Sequence, residues 1–254
     1  MQFASINDGE YFLGEKEIDA KSEKLIRSCT QKRKNGMPLS YCLGKAEFMG
    51  LVFLVGRGVL IPRPETELLV EEVLELFKEN VAINFADWCS GSGCIGISIL
   101  KSRNNPNDFC TFVEKSTCAI KWNSKNVALH NLSHCTKILQ NKNIIDANFS
   151  KESLDLITAN PPYIDTNDMS GLMSEVRDYE PKMALDGGKD GLKIYKKLLV
   201  AAELFLKPGG LLAIETAGAS QIAILEKMWQ KHFNLVKIVQ DYANIPRHVI
   251  LKKR

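Results

Sequence analysis

Apolar residues along the chain fall into two recurring patterns, and their alternation predicts an α/β protein. Between Pro64 and Phe77, the positions Leu69, Val70, Val73, Leu74 and Phe77 recur at helical spacing, with Glu71, Glu72 and Glu75 on the other side. Pro64 near the first turn, followed by Glu65 and Glu67, is favourable chemistry for a helix start. Short apolar runs of strand length follow at Val81 to Trp88, Phe109 to Val113, Leu154 to Ala159 and Leu211 to Glu215, with a further strand and loop within Ile138 to Asp146. Helices are predicted between them, from the Cys94 turn to about Ser102, from Ser116 to about Asn131, from Leu192 to Phe205, and from about Ser220 to Lys231. The last two runs, Leu235 to Gln240 and Pro246 to Leu251, lie a short loop apart. That spacing permits an antiparallel pair but not a right-handed crossover. The predicted fold class is therefore α/β, a doubly wound, mostly parallel seven-stranded sheet with a late antiparallel strand.

Upstream of this pattern the text differs. Residues 1–37 are polar and charged, with one helix from about Glu17 to Cys29 that Lys32-Arg33-Lys34-Asn35-Gly36 brings to an end. From Pro38 to Leu60, aromatic and β-branched residues interleave with Gly44, Gly50, Gly56 and Gly58, which suggests a β-hairpin linker. The division read from the sequence is a cap over 1–37, a linker over 38–60 and a catalytic domain over 61–254.

Composition narrows the function classes only slightly. The 254 residues are 45% hydrophobic and 25% charged, ordinary for a globular chain, and a net charge of +3 is too small to mark a nucleic-acid binder. Seven cysteines with no Cys-x-x-Cys pair and no histidine cluster point to neither a disulfide framework nor a metal site. No apolar run approaches the roughly 20 residues that span a bilayer, and Met1 to Glu10 lacks a signal-peptide layout, so a cytoplasmic protein is expected.

Candidate chemistry lies in two turns. Cys89-Ser90-Gly91-Ser92-Gly93 joins a strand to a helix, as in nucleotide-binding βαβ units, where glycines let backbone approach a ligand. Glu114 ends the next strand 21 residues past Gly93, where such folds place an acid that accepts both hydroxyls of an adenosine ribose. The second turn, Asn160-Pro161-Pro162-Tyr163, stiffens the chain at the end of the Leu154 to Ala159 run. Proline carbonyls without a local donor, beside an Asn side-chain oxygen, suit a planar NH2 group. An ordinary turn after a strand reads the same way, and a Gly-x-Gly alone is weak; the two converge because ligands of open α/β sheets gather at the carboxyl edge. The long polar loop after Tyr163, through Gly191, has no clear regular pattern and suggests a lid or binding loop.

Together these motifs resemble the HemK/PrmC family of release-factor glutamine methyltransferases, over about Pro38 to Leu251. Ile61-Pro62-Arg63-Pro64-Glu65-Thr66-Glu67 is similar to the family's linker signature, Ser90-Gly91-Ser92-Gly93 to its cofactor turn, and Asn160-Pro161-Pro162-Tyr163-Ile164 to its active-site motif. Val176 to Pro181 and Ala184 to Gly188 are similar to a later block. The resemblance implies a class I S-adenosylmethionine-dependent methyltransferase fold and S-adenosylmethionine as cofactor. It also implies methyl transfer to the glutamine of the Gly-Gly-Gln motif in peptide-chain release factors, by a monomer that needs no nucleic acid. Catalysis then falls to Asn160, Pro161, Pro162 and Tyr163, and cofactor binding to Cys89, Ser90, Gly91, Ser92, Gly93, Glu114 and Asn160, with Arg63, Glu65 and Glu180 shaping the crevice.

The sequence departs from the family in three ways. Cys89 replaces the first glycine of the cofactor turn, Glu114 stands where Asp is commoner, and the helical domain before residue 37 is much shortened. The residue flanking the adenine falls near Asn143 or Asn148. Rival readings are an amino-methyltransferase acting on a nucleic-acid base or on a ribosomal-protein glutamine, and a non-catalytic cofactor-binding protein.

Overall fold

The computed structural model describes residues 18–77, 81–141 and 149–254. Helix α1 (Ala20–Lys34) opens where the Asp19 carboxylate accepts from Ser22 N at 2.7 Å. It runs through the basic triplet expected to end it, because Lys32, Arg33 and Lys34 lie in its last turn and suit the negative end of the dipole. After the short α2 (Leu39–Leu43), strands β1 (Lys45–Phe48) and β2 (Leu51–Leu54) pair as the expected antiparallel hairpin. Phe48 and Phe53 are fully buried, so the hairpin shares the main core.

Helix α3 (Pro64–Leu76) leads to β3 (Asn84–Trp88), α4 (Cys94–Arg103), β4 (Phe109–Glu114), α5 (Thr117–Leu129), β5 (Thr136–Gln140) and β6 (Leu154–Ala159). Ser116 caps α5 as expected, its hydroxyl accepting from Ala119 N at 3.3 Å. β3 starts later than the apolar run suggests. Asp108 captures the Ile83 N–H at 2.9 Å, and Val81 is largely exposed before it.

The loop after β6 holds more regular structure than its sequence shows: β7 (Ile164–Asp165) pairs in parallel with β8 (Asp186–Gly188), and α6 (Ser174–Tyr179) lies between. These pieces are too short to leave a periodic signal. Helix α7 (Lys193–Phe205), β9 (Leu206–Glu215), α8 (Ala219–Trp229), β10 (Phe233–Gln240) and β11 (Pro246–Lys253) complete the chain. β9 begins five residues before its expected start. Leu206 pairs with Leu154, but the next rung is Leu211 with Leu156, so Lys207-Pro208-Gly209-Gly210 bulges from the ladder.

The seven-stranded sheet has the order β10-β11-β9-β6-β3-β4-β5, parallel except for β11, which runs antiparallel to both neighbours. Both faces are covered. Trp88, Ile157, Tyr195, Leu198 and Leu225 fill one, under α7 and α8, while Phe85, Ile97, Phe112, Leu156 and Leu69 fill the other, under α3 and α4. Strand order reverses between β3 and β6, because the chain lays down β4 and β5 on one side of β3 and then returns to the other. A ligand crevice belongs at the carboxyl ends of the strands flanking such a switch.

Candidate active site

The register aligns four strand ends. Val113, Trp88, Ala159 and Ile214 face one another across β4, β3, β6 and β9. The next residue along each strand is Glu114, Cys89, Asn160 and Glu215. A crevice of about 530 Å³ opens over this row, lined by Ser90, Gly91, Ser92, Glu114, Asn160 and Pro162 among others. It is closed on the far side by Ile61 to Arg63 and by Pro181 to Ala184 from the loop after β6. The two turns singled out in the sequence therefore share one cavity.

The Glu114 carboxylate is held by three backbone N–H groups: Gly91 N donates to Oε2 at 2.9 Å, and Lys115 N and Ser116 N donate to Oε1, each at 2.7 Å. A carboxylate offers about four acceptor positions, so capacity remains for a ligand hydroxyl. In the turn itself, Gly91 and Gly93 take φ of +53° and +82°. Cys89 takes φ +55°, a left-handed conformation that a non-glycine residue rarely adopts.

The turn is a poor phosphate cradle. Gly91 N is taken by Glu114, Gly93 N donates to Ser90 O at 2.7 Å, and Gly96 N in the first turn of α4 donates to Asp87 Oδ2 at 3.2 Å. The protein's own carboxyl group thus occupies the helix N-terminus where a dinucleotide-binding fold would seat its pyrophosphate. This donor set fits a nucleoside that carries no phosphate. Asp87 is fully buried, and its pKa is pushed up to about 7, chiefly by burial, against the hydrogen bonds from Thr158 and Gly96.

Asn160 is half-buried, and its Nδ2 lies 3.2 Å from Thr66 Oγ1. Pro162 lines the crevice, whereas Pro161 is buried and does not. Tyr163 also stays out of the lining; its ring packs on the core and its hydroxyl donates to Glu215 Oε1 at 3.3 Å. Burial, and secondly the Glu215 charge, raise the Tyr163 pKa, so the phenol keeps its proton. Arg63 lines the crevice and pairs with the buried Glu180, whose other oxygen accepts from Ile61 N at 3.0 Å. Glu65 is half-buried and outside the lining, and Asn143 and Asn148 lie outside the described residues.

Sequence reasoning passed over Thr66, Asp87, Glu215 and His248 as site residues. Thr66 was visible only as part of a helix start, and its buried side chain instead reaches Glu215 Oε2 at 2.6 Å. Glu215 ends an apolar strand just as Glu114 does, a signal that could have raised it.

Comparison with known proteins fits this geometry. Residues 64–175 match the family model described as the methyltransferase small domain. The catalytic domain of hMettl16, solved in complex with MAT2A 3'UTR hairpin 6, has a TM-score of 0.61 at 15% identity, over 92% of this chain and 82% of that one. TrmN from Thermus thermophilus gives 0.54 at 21% identity, over 74% and 48%. Likenesses at these identities establish the class I methyltransferase fold. The release factor glutamine methyltransferase of Thermodesulfovibrio yellowstonii is 38% identical over 240 residues, covering 93% of this chain and 84% of that one. That of Clostridium botulinum is 40% identical over 223 residues, covering 87% and 77%. With 38–40% identity over 87–93% of its length, the chain belongs to the release factor glutamine methyltransferase family.

Proposed function

We propose that this chain transfers a methyl group from S-adenosylmethionine to the side-chain amide nitrogen of the glutamine in the Gly-Gly-Gln loop of peptide-chain release factors. One observation carries the reading: Asn160, at the end of β6, lines the same crevice as the glycine turn after β3 and Glu114 at the end of β4. Glu114 would accept from a ribose hydroxyl, Ser90 to Ser92 would pass beneath the nucleoside, and Val113 and Ala119 offer an apolar wall for the base. When bound, the cofactor supplies an electron-poor methyl carbon on a sulfonium.

The task left to the protein is to position a poor nucleophile. An amide nitrogen delocalises its lone pair into the carbonyl. Asn160 Oδ1 and a main-chain carbonyl of the proline turn that follows it would each accept one of its N–H bonds, which holds the amide plane still and directs the nitrogen along the line of transfer. In this reading residues 61–254 are the catalytic domain, 38–60 its linker and 1–37 a cap, and the enzyme acts as a cytoplasmic monomer without nucleic acid. Among the described residues no helix is long and apolar enough to cross a membrane.

Incubation with isotopically labelled S-adenosylmethionine and the cognate release factors tests the proposal. Peptide mass spectrometry should place a single methyl on the glutamine of the Gly-Gly-Gln loop, and Gln→Asn in that loop should abolish it, since the shorter side chain leaves its nitrogen out of line. Label arriving on DNA, ribosomal RNA or a ribosomal protein, with the release factors untouched, would overturn the substrate assignment.

A further inference from the structure

We propose that Thr66 and Glu215 form a polarity relay that decides which end of the Asn160 amide faces the acceptor group; the inference rests on the glutamine-methyltransferase reading above. The oxygen and nitrogen of an Asn amide have nearly the same shape, so the orientation must come from the neighbours. Here the neighbours leave one solution. Asn160 Nδ2 lies 3.2 Å from Thr66 Oγ1, and Thr66 Oγ1 lies 2.6 Å from Glu215 Oε2. Thr66 and Glu215 are each 2% exposed, so water does not compete.

A hydroxyl has one proton to give. The carboxylate can only accept, and 2.6 Å is the length of a charge-assisted O–H···O bond, so the Thr66 proton goes to Glu215. What Thr66 then shows to Asn160 is lone pairs. Only the NH2 end of the amide satisfies them, and Oδ1 is left for a ligand. Were the amide reversed, it would present its own NH2 to the NH2 of a substrate glutamine, donor against donor.

The carboxylate at the end of the relay is fixed from several sides. Tyr163 donates its hydroxyl to Oε1 at 3.3 Å, and Tyr195 donates to the Glu215 backbone carbonyl at 2.6 Å, pinning the strand end. His248 is the register partner of Glu215 on β11, and its Nε2 lies 3.6 Å from Oε2, too far for a hydrogen bond. Both ring nitrogens of this fully buried histidine lack hydrogen-bond partners, so the ring fills space beside the relay without drawing Glu215 away from Thr66. A tie between α3 and β9 needs no particular end group. This one ends on the amide that lines the crevice.

The test uses Thr66→Val, Thr66→Ser and Glu215→Gln in the full-length protein. Thr66→Val keeps the shape and removes the hydroxyl; kcat for release-factor methylation should fall on the order of 10- to 100-fold, with KM for the release factor and the calorimetric Kd for S-adenosylmethionine within about twofold of wild type. Thr66→Ser should restore kcat. Glu215→Gln should lose at least as much as Thr66→Val, because the new NH2 can donate to Thr66 Oγ1 and free the threonine proton to turn the Asn160 amide round. The Thr66→Val/Glu215→Gln double variant should then be no worse than Glu215→Gln alone.

A readout independent of turnover is the side-chain NH2 of Asn160 in protein carrying 15N-asparagine. One of its two protons should exchange slowly in wild type and Thr66→Ser, and quickly in Thr66→Val. Thr66→Val with wild-type kcat and an unchanged amide signal would overturn the relay. So would a loss confined to melting temperature or cofactor affinity. If wild-type protein methylates no release factor, the functional reading fails by itself, and the amide signal still decides whether the relay exists.

Discussion

Replacing Glu114 should separate its two jobs. Its carboxylate is the acceptor for three backbone N–H groups, two that follow it in the chain and one in the glycine turn. It also lines the crevice beside Ser90 to Ser92 and Ser116. With three of about four acceptor positions already filled, the carboxylate keeps one for a ribose hydroxyl, a charge-assisted hydrogen bond contributing about 1.5–3 kcal/mol. Its loss in Glu114→Ala is ~10- to 10²-fold in Kd.

The same substitution takes the acceptor from three backbone donors, on the half-buried Gly91 and Ser116 and the exposed Lys115, with a cost to the folded state of about 1–3 kcal/mol for each one that water does not reach. Glu114→Gln removes the charge but keeps the shape. Its NH2 must face either Gly91 N or the Lys115 and Ser116 pair, and Gly91 is the cheaper loss because only one donor faces it. Calorimetry with S-adenosylmethionine on both variants, alongside urea unfolding without ligand, measures the two effects separately. Cofactor affinity equal to wild type in folded Glu114→Ala would remove Glu114 from the site. Saturable binding of NAD in place of S-adenosylmethionine would refute the wider reasoning about the turn's occupied N–H groups.

Asn160→Ala should leave the cofactor Kd near wild type while turnover falls on the order of 100-fold or more; near-normal turnover would reduce the Asn-Pro-Pro-Tyr segment to a turn. Asp87 has a folded pKa raised by burial to about 7, so its contribution to stability is present below about pH 4 and is lost as pH rises toward and through 7. In paired urea titrations, wild type should therefore lose up to roughly 4 kcal/mol relative to Asp87→Asn between pH 4 and pH 8, and parallel pH profiles would show that the group is not perturbed. Gly191 takes φ +65°, and a Cβ there would lie 2.5 Å from the Tyr163 carbonyl oxygen. Gly191→Ala should accordingly lower stability by about 1–3 kcal/mol, measured by thermal melting, and an unchanged midpoint would contradict the packing.

The central strands of the sheet were legible because they are buried on both faces. Leu154 to Ala159 could be read to the residue, since burial from both sides leaves a largely apolar run, interrupted by Asp155 and Thr158 and ended by Asn160 and two prolines. Glu114 and Asn160 were legible for a related reason: each is the first polar residue after such a run. Thr66 was not, because Pro64, Glu65 and Glu67 around it explain a helix start completely, and its partner Glu215 is 149 residues away. Nor was the pairing of Ile164 with Asp186, which joins two strands of two and three residues through glycines that fit beneath the Pro162 and Tyr163 carbonyls. The helix over 20–34 was misjudged at its end because basic residues, taken as a break, complete its last turn.

The position of β11 bears on the order in which the molecule is made. It is synthesised after all the other strands described, yet it lies inside β10, between that strand and β9. Until residues 246–253 emerge, β9 presents a row of unpaired backbone groups, an edge open to mispairing with other chains. Glu215 closes that strand, held by Thr66 of α3, by Tyr163 in the turn after β6 and by Tyr195 of α7 before His248 is set beside it. A nascent chain can therefore form the glycine turn and Glu114 early. Its acceptor side is completed only when synthesis reaches the last strand, so cofactor binding should become possible before methyl transfer does.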